Sequence, residues 1–292
     1  MDSPTFTPKQ AMPFGQRMFE IIGADETLAI AKYEMTLLPP FPTDAVIHDA
    51  ACGLGPVTEA ILATSPPSSI QIKATDAAAG MVHLYNAAAT VNGWPSSTVT
   101  PATVIDAQSL AFPDATFSHV FLSFGLPILA DPVRAAREMH RTLRPGGTTV
   151  TAFWLQIPQG ECAGATRRAL YGGGAENARL AVEPHPEHTD REYLRSLLVR
   201  GGFAFDEVEL YEKSVFLPVR DIDEFAAAVW SAIGVPTGGW TQRDEEDWDA
   251  AVAKYKELLA RRSGFHVDQE GNVTLEAIAQ VAIARKPLEW LA

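Results

Sequence analysis

The stretch Ala45-Val-Ile-His-Asp-Ala-Ala-Cys-Gly-Leu-Gly-Pro-Val-Thr-Glu-Ala-Ile-Leu62 decides the fold. An apolar run closes on Asp49, a Gly53-x-Gly55 turn follows, and a helical pattern begins straight after it. This is a strand–turn–helix unit, and its glycines let a ligand lie against bare backbone. A second short apolar run, Ile70-Gln-Ile-Lys-Ala-Thr-Asp76, also ends on an acid, about twenty-seven residues past Asp49. An acid at the end of the second strand of such a unit can grip a nucleoside ribose. Together the two segments point to a nucleoside-bearing cofactor.

The spacing after the first glycine separates the cofactor classes. The dinucleotide fingerprint G-x-G-x-x-G/A needs a small third residue for close helix–strand packing, and Thr58 stands there. An NAD-dependent dehydrogenase is therefore the weaker reading. The residues match D/E-x-x-x-G-x-G, which resembles motif I of the class I S-adenosylmethionine (SAM) methyltransferases.

Further segments resemble the same family in order. Ala74-Thr-Asp76-Ala-Ala-Ala-Gly80-Met81 is similar to its D-x-S-x-x-M segment, with Ala77-Ala78 where a serine is common. Val104-Ile-Asp106-Ala107 with Leu110-Ala-Phe-Pro-Asp114 is similar to D-A-x-x-L-P-F. Phe117–Phe124 resembles the fourth strand, and Ala135–Gly147 resembles the E-x-x-R-x-L-x-P-G-G helix and turn before the fifth. Within the family, the chain resembles the fungal group of small-molecule methyltransferases that includes the gliotoxin bis-thiomethyltransferase. The shared features are the ACG-x-G turn, PDA-x-[FY]-[ST]-HVF, and a C-terminal LEA-[IV]-A segment ending in KP.

The resemblance implies a Rossmann-like, doubly wound α/β fold. It would have a seven-stranded, mostly parallel sheet, an antiparallel last strand and helical cap insertions. Residues 1–42 would form N-terminal lid helices and 43–292 the methyltransferase domain, with the SAM-binding core at 45–154 and caps at about 155–190 and 220–264. Asp49 would then face the amino-acid part of SAM, with Ala50, Gly53 and Gly55 also at the cofactor. Asp76 would meet the ribose hydroxyls, Met81 the adenine, and Asp106 and the Ala107 N–H the adenine edge, with Ala77 also at the cofactor. Ser123 would close the site after the fourth strand.

Residue patterns predict strands at 45–49, 70–75, 101–105, 117–123, 148–154 and 205–217. Helices are predicted at 13–38, 56–63, 78–91, 131–143, 163–170, 190–200, 221–233 and 243–262. Residues 274–285 are rich in Leu, Ala, Glu and Gln and would suit a helix. The resemblance makes them the last strand.

Composition narrows the function. The chain has 292 residues, 47% of them hydrophobic, enough for a large core, and a net charge of −13. That charge disfavours a nucleic-acid substrate, which needs a basic face. No apolar run is long enough to span a bilayer. Met1-Asp-Ser-Pro-Thr-Phe lacks the regions of a signal peptide, so a cytoplasmic protein is expected. Two cysteines, Cys52 and Cys162, offer neither a disulfide framework nor zinc-ligand spacing, and no metal is expected.

SAM brings an electrophilic methyl group, so the protein need only hold an acceptor in line and exclude water. Positioning of this kind contributes up to about 7–11 kcal/mol. An O, S or N of a small hydrophobic, secondary metabolite is the expected acceptor, with S-adenosylhomocysteine (SAH) as product. Phe124, Trp154 and Trp230 are expected to line the substrate site. No catalytic base stands out: His119 falls at the far end of its strand, and His185 and His188 lie in a loop-rich segment. A non-methylating, SAM-binding cyclase or pericyclase would share the same core segments, as would a partner protein with a decayed site. Oligomeric state is left open.

Overall fold

The computed structural model describes residues 6–172, 178–181 and 186–288. Two helices on the parallel part of the sheet begin where the sequence places their start signals. Pro56 opens α3 (Pro56–Ala63) directly after Gly55, whose φ of +89° turns the chain off the strand. The Asp131 carboxylate accepts from the Arg134 N–H at 2.9 Å and caps α5 (Pro132–Thr142). Between them lies α4 (Ala79–Val91).

The strands are β1 (Val46–Ala50), β2 (Gln71–Asp76), β3 (Thr103–Val104), β4 (Phe117–Phe121), β5 (Leu143–Gln156), β6 (Val208–Val219), β7 (Phe265–Val267) and β8 (Val273–Arg285). They form one sheet in the order β3-β2-β1-β4-β5-β8-β6, with β7 pairing β8 outside that path. Strands β3, β2, β1, β4 and β5 pair in parallel, and the last strand is antiparallel, which is the expected Rossmann-like architecture. The eighth strand, β7, was not expected; it forms a short hairpin with the start of β8.

β8 shows why local composition misleads. It lies between β5 and β6, and Ala277, Ala279, Val281, Ala282 and Ala284 along it are fully buried. A strand covered on both faces needs small apolar residues on both, whatever their helix propensity.

Several boundaries differ from the sequence expectation. The helix expected over 13–38 is two, α1 (Gln16–Ile22) and α2 (Ala24–Thr36), because Gly23 turns between them at φ +130°. The helix expected over 243–262 is likewise α9 (Gln242–Glu246) and α10 (Trp248–Leu259), which part at Asp247. β3 is only two residues long, and residues 205–207 form a 3-10 turn before β6. The helix near 163–170 extends over Pro158–Tyr171 (α6), and that near 190–200 is Tyr193–Gly201 (α7), ended by Gly202 at φ +116°. α8 (Ile222–Ile233) is capped by Asp221, as its sequence suggests.

The chain divides into two compact units. One comprises Met1–Glu26, Gln156–Pro186 and Ser214–Ile278. Its core joins Cys162, Phe225, Val229, Tyr255, Leu259 and Leu275. A second cluster there holds Trp230 and Trp248, with Trp240 and Leu170 against it. The other unit comprises Thr27–Leu155, Glu187–Lys213 and Ala279–Ala292. Its core includes Phe117, Val120, Leu122, Met139, Leu143, Leu197 and Phe203, with α5 packed on α7. Among the described residues, no helix is long and apolar enough to cross a membrane.

Candidate functional site

The parallel pairing brings the predicted residues to one edge. In register, Asp49 faces Ala74 of β2 and Phe121 of β4, while Asp76 faces Val104 of β3. Asp49, Asp76, Asp106 and Ser123 therefore stand at the carboxyl ends of four neighbouring strands, where open α/β sheets bind ligands.

The turn after β1 is held by carboxylates. Asp76 accepts from the Gly53 N–H at 3.0 Å through Oδ2 and from the Ala78 N–H at 2.9 Å through Oδ1. It therefore ties the glycine turn to the start of α4. Gly53 has φ +52°, and a Cβ there would meet nothing within 4 Å. Gly55 is different: a Cβ would stand 2.5 Å from Cη2 of Trp94 and 3.0 Å from the Tyr85 ring. Gly53 thus borders open space, whereas Gly55 is a packing glycine. Ala50 is buried in β1, Ala77 is exposed, and Met81 is half-buried in the first turn of α4.

Asp49 is buried, and its Oδ2 accepts from the Thr58 N–H at 3.2 Å and the Thr58 hydroxyl at 2.8 Å. The Tyr85 hydroxyl, 2.8 Å from Thr58 Oγ1, completes the chain as donor. Burial pushes the Asp49 carboxyl up to about 7, the Thr58 bonds oppose that, and Asp76 adds to it. Thr58 reads in the sequence only as the residue that spoils a dinucleotide fingerprint. Here it is the residue that orients Asp49.

Glu34 was not singled out in the sequence at all. It lies on α2, fully buried, and its Oε1 accepts from the Ser123 hydroxyl at 2.6 Å. Its Oε2 is buried without a hydrogen-bond partner. Burial, and then the charge of Asp49, push its carboxyl up to about 8, against the Ser123 bond. A glutamate in a helix has no signal that distinguishes it from a solvated one, so only the packing reveals it.

Asp106 is exposed and accepts from the Gln108 N–H at 2.8 Å and from the Gln108 side chain at 3.0 Å. Ala107 is buried beside it. Phe124 follows Ser123 at φ +63°, rare for an aromatic residue. Its ring stacks on Trp154 with centroids 4.5 Å apart and planes at 28°. Two predicted substrate residues therefore form one aromatic surface.

Trp230 does not join them. It has no exposed surface and packs against Trp240, with the buried Arg167 guanidinium 5.2 Å from its ring centre. Arg167 in turn pairs with buried Asp244 at 2.8 Å. This tryptophan is the core of its own unit rather than a wall open to a ligand. Among the histidines, His119 is buried against Phe41, and burial lowers it to about 4, so it is not placed to serve as a base. His188 packs edge-on to Phe153 at 4.9 Å, and His185 lies outside the described residues. Cys52 is buried, and burial with Asp49 and Asp76 drives its thiol far up, which suits a packing residue. Among the described residues, no group of three His, Cys, Asp or Glu side chains could hold a metal ion.

Residues 48–151 match the family described as a methyltransferase domain. Methyltransferase tpcH of Aspergillus fumigatus is 26% identical over 83% of this chain and 85% of its own. A crystal structure of a Bacillus halodurans protein described as a methyltransferase superposes with a TM-score of 0.56 at 16% identity, covering 89% of this chain and 98% of that one. Phosphoethanolamine N-methyltransferase 2 of Haemonchus contortus, solved with S-adenosylhomocysteine and phosphomonomethylethanolamine, gives a TM-score of 0.52 at 16% identity, covering 93% of this chain and 56% of that one. Residues 48–151 carry a methyltransferase domain, and these similarities support a SAM-dependent methyltransferase with SAM as its cofactor.

Proposed function

We propose that this class I methyltransferase transfers the methyl group of SAM to an O, S or N atom of a small hydrophobic metabolite. The observation that carries the reading is the Phe124–Trp154 stack directly after Ser123, an aromatic surface at the carboxyl end of β4 and β5. The length-wide similarity to a fungal methyltransferase supports it. A net charge of −13 favours a neutral or cationic acceptor over a phosphorylated one.

The residues at the strand ends suit a cationic cofactor. Asp49, Asp76 and Glu34 are acidic side chains that ionise beside a cation, and each is held by hydrogen bonds from neutral donors. Such a set would repel a dinucleotide pyrophosphate and attract an ammonium or sulfonium. We assign Asp49, Gly53 and Ser123 to the amino-acid part of SAM, Asp76 and Ala77 to the ribose, and Met81, Asp106 and Ala107 to the adenine. Ala50 and Gly55 shape the turn behind these contacts.

SAM supplies an electrophilic methyl group when bound. The protein's part is to orient the acceptor on the Phe124–Trp154 face, exclude water from it, and let the displacement run in line. Proximity of that kind is worth up to about 7–11 kcal/mol. No strong base is required for a thiol or an acidic enol, whose anions are accessible near neutral pH.

The test is to incubate the purified protein with SAM and a panel of hydrophobic thiols, phenols, enols and amines, and to follow SAH formation together with the mass of the acceptor. The expected result is acceptor-dependent SAH with a mass gain of one methyl group. Turnover of an acceptor that changes structure without SAH release would instead indicate a non-methylating enzyme.

A further inference from the structure

Glu34 is a charged group in a place that the contacts among described residues do not account for. It comes from helix α2, not from the strand-end motifs, yet it is fully buried. One oxygen accepts from Ser123, and the other, Oε2, is buried without a partner. A buried, half-satisfied carboxyl is costly and calls for a role. The groups facing it are Ser123 after β4 and Asp49 at the end of β1. Asp49 in turn stands near Asp76, Cys52 and, through Thr58, Tyr85. None of these is a cation.

Two buried carboxyls held near each other repel when both are ionised, so protons favour the pair until a positive charge arrives. Their common edge, the ends of β1 and β4, is the edge assigned above to the amino-acid part of the cofactor. We propose that Glu34 and Asp49 form a carboxylate pair that receives the α-ammonium of the cofactor and releases a proton to solvent as it binds. The inference rests on the SAM reading of this site. The step is balanced: a carboxylic acid becomes a carboxylate, its proton leaves to buffer, and the ammonium stays protonated.

The sign follows from linkage. The empty pair has carboxyls raised to about 7 and about 8, and a cation lowers both. Binding therefore expels protons, and affinity rises with pH up to about 8, where the empty pair has largely ionised. The Ser123 bond favours the ionised Glu34, so losing it moves that pH dependence upward.

The experiment is calorimetric titration of the protein with SAH at pH 7 in buffers of different ionisation enthalpy, which counts protons released. Wild-type protein is expected to release about one to one and a half protons per SAH. Glu34→Gln keeps the shape and is expected to at least halve that count and weaken binding about tenfold. Its unliganded melting temperature at pH 8 should be equal to or above wild type, because a buried charge is gone. Ser123→Ala should keep releasing protons at higher pH than wild type does. SAH binding to wild type without proton release overturns the inference, as does Glu34→Gln with unchanged affinity and proton count. If Glu34→Gln does not fold, the wild-type count and Ser123→Ala decide. Wild-type protein that binds no SAH at any pH overturns the SAM reading itself.

Discussion

The two glycines of the turn give a paired test, because their surroundings differ. Gly53 has φ +52° and open space where a Cβ would go. Gly53→Ala therefore costs the empty protein only the left-handed backbone penalty, about 1–2 kcal/mol. Gly55→Ala adds a methyl group 2.5 Å from Trp94 and 3.0 Å from Tyr85 at φ +89°. Overpacking of that kind costs a further 1–3 kcal/mol or so, for a total of roughly 2–5 kcal/mol. At roughly 2–4 °C per kcal/mol, the Gly55 variant should melt clearly below the Gly53 variant. Binding should separate them the other way. The methyl group that Gly53→Ala adds stands on the open face of the turn, so SAH affinity should fall at least tenfold in a protein that remains folded. The assay is a thermal melt of each empty variant and calorimetry with SAH. A Gly53→Ala protein that binds SAH as tightly as wild type would refute the reasoning that places the cofactor against this turn.

Other outcomes follow from the same contacts. Thr58→Val removes the hydroxyl that donates to Asp49 at 2.8 Å; a bond to a charged group is worth about 1.5–3 kcal/mol, so SAH affinity measured by calorimetry should drop tenfold or more. Unliganded stability should fall as pH rises from about 6.5, above which the histidines of the unfolded chain have lost their protons, to about 8. In that window the folded protein holds protons on Glu34, Asp49 and Glu26 (raised to about 8, about 7 and about 8 by burial) that the unfolded chain has lost. A denaturant midpoint that rises across that range would contradict it. Trp154→Ala unstacks Phe124, and kcat/KM for any acceptor found should fall while SAH affinity stays within about twofold of wild type.

Much of this was legible in the sequence where local signals and chain topology agree. The strand–turn–helix around Gly53 and Gly55 falls where its residues place it, because the glycines, Pro56 and the apolar run on β1 all require the same geometry. β8 was legible only through the resemblance, since burial on both faces overrides the helical leaning of its residues. Trp230 misled: an aromatic residue in an inserted helix reads as a ligand wall, but Arg167 and Trp240 enclose it. Glu34 and the positioning role of Thr58 were hidden because each depends on a partner from a distant segment, Ser123 and Tyr85 respectively. The breaks at Gly23 and Asp247 were hidden because the periodicity runs across both.

The most direct test of the central claim follows the melting temperature of the purified protein with SAH and, separately, with NAD. A ligand that binds only the folded state at a hundred times its dissociation constant adds about 2.7 kcal/mol, several degrees for a chain of this size. The account predicts a rise with SAH and none with NAD. A rise with NAD alone, or no rise with either, would contradict it.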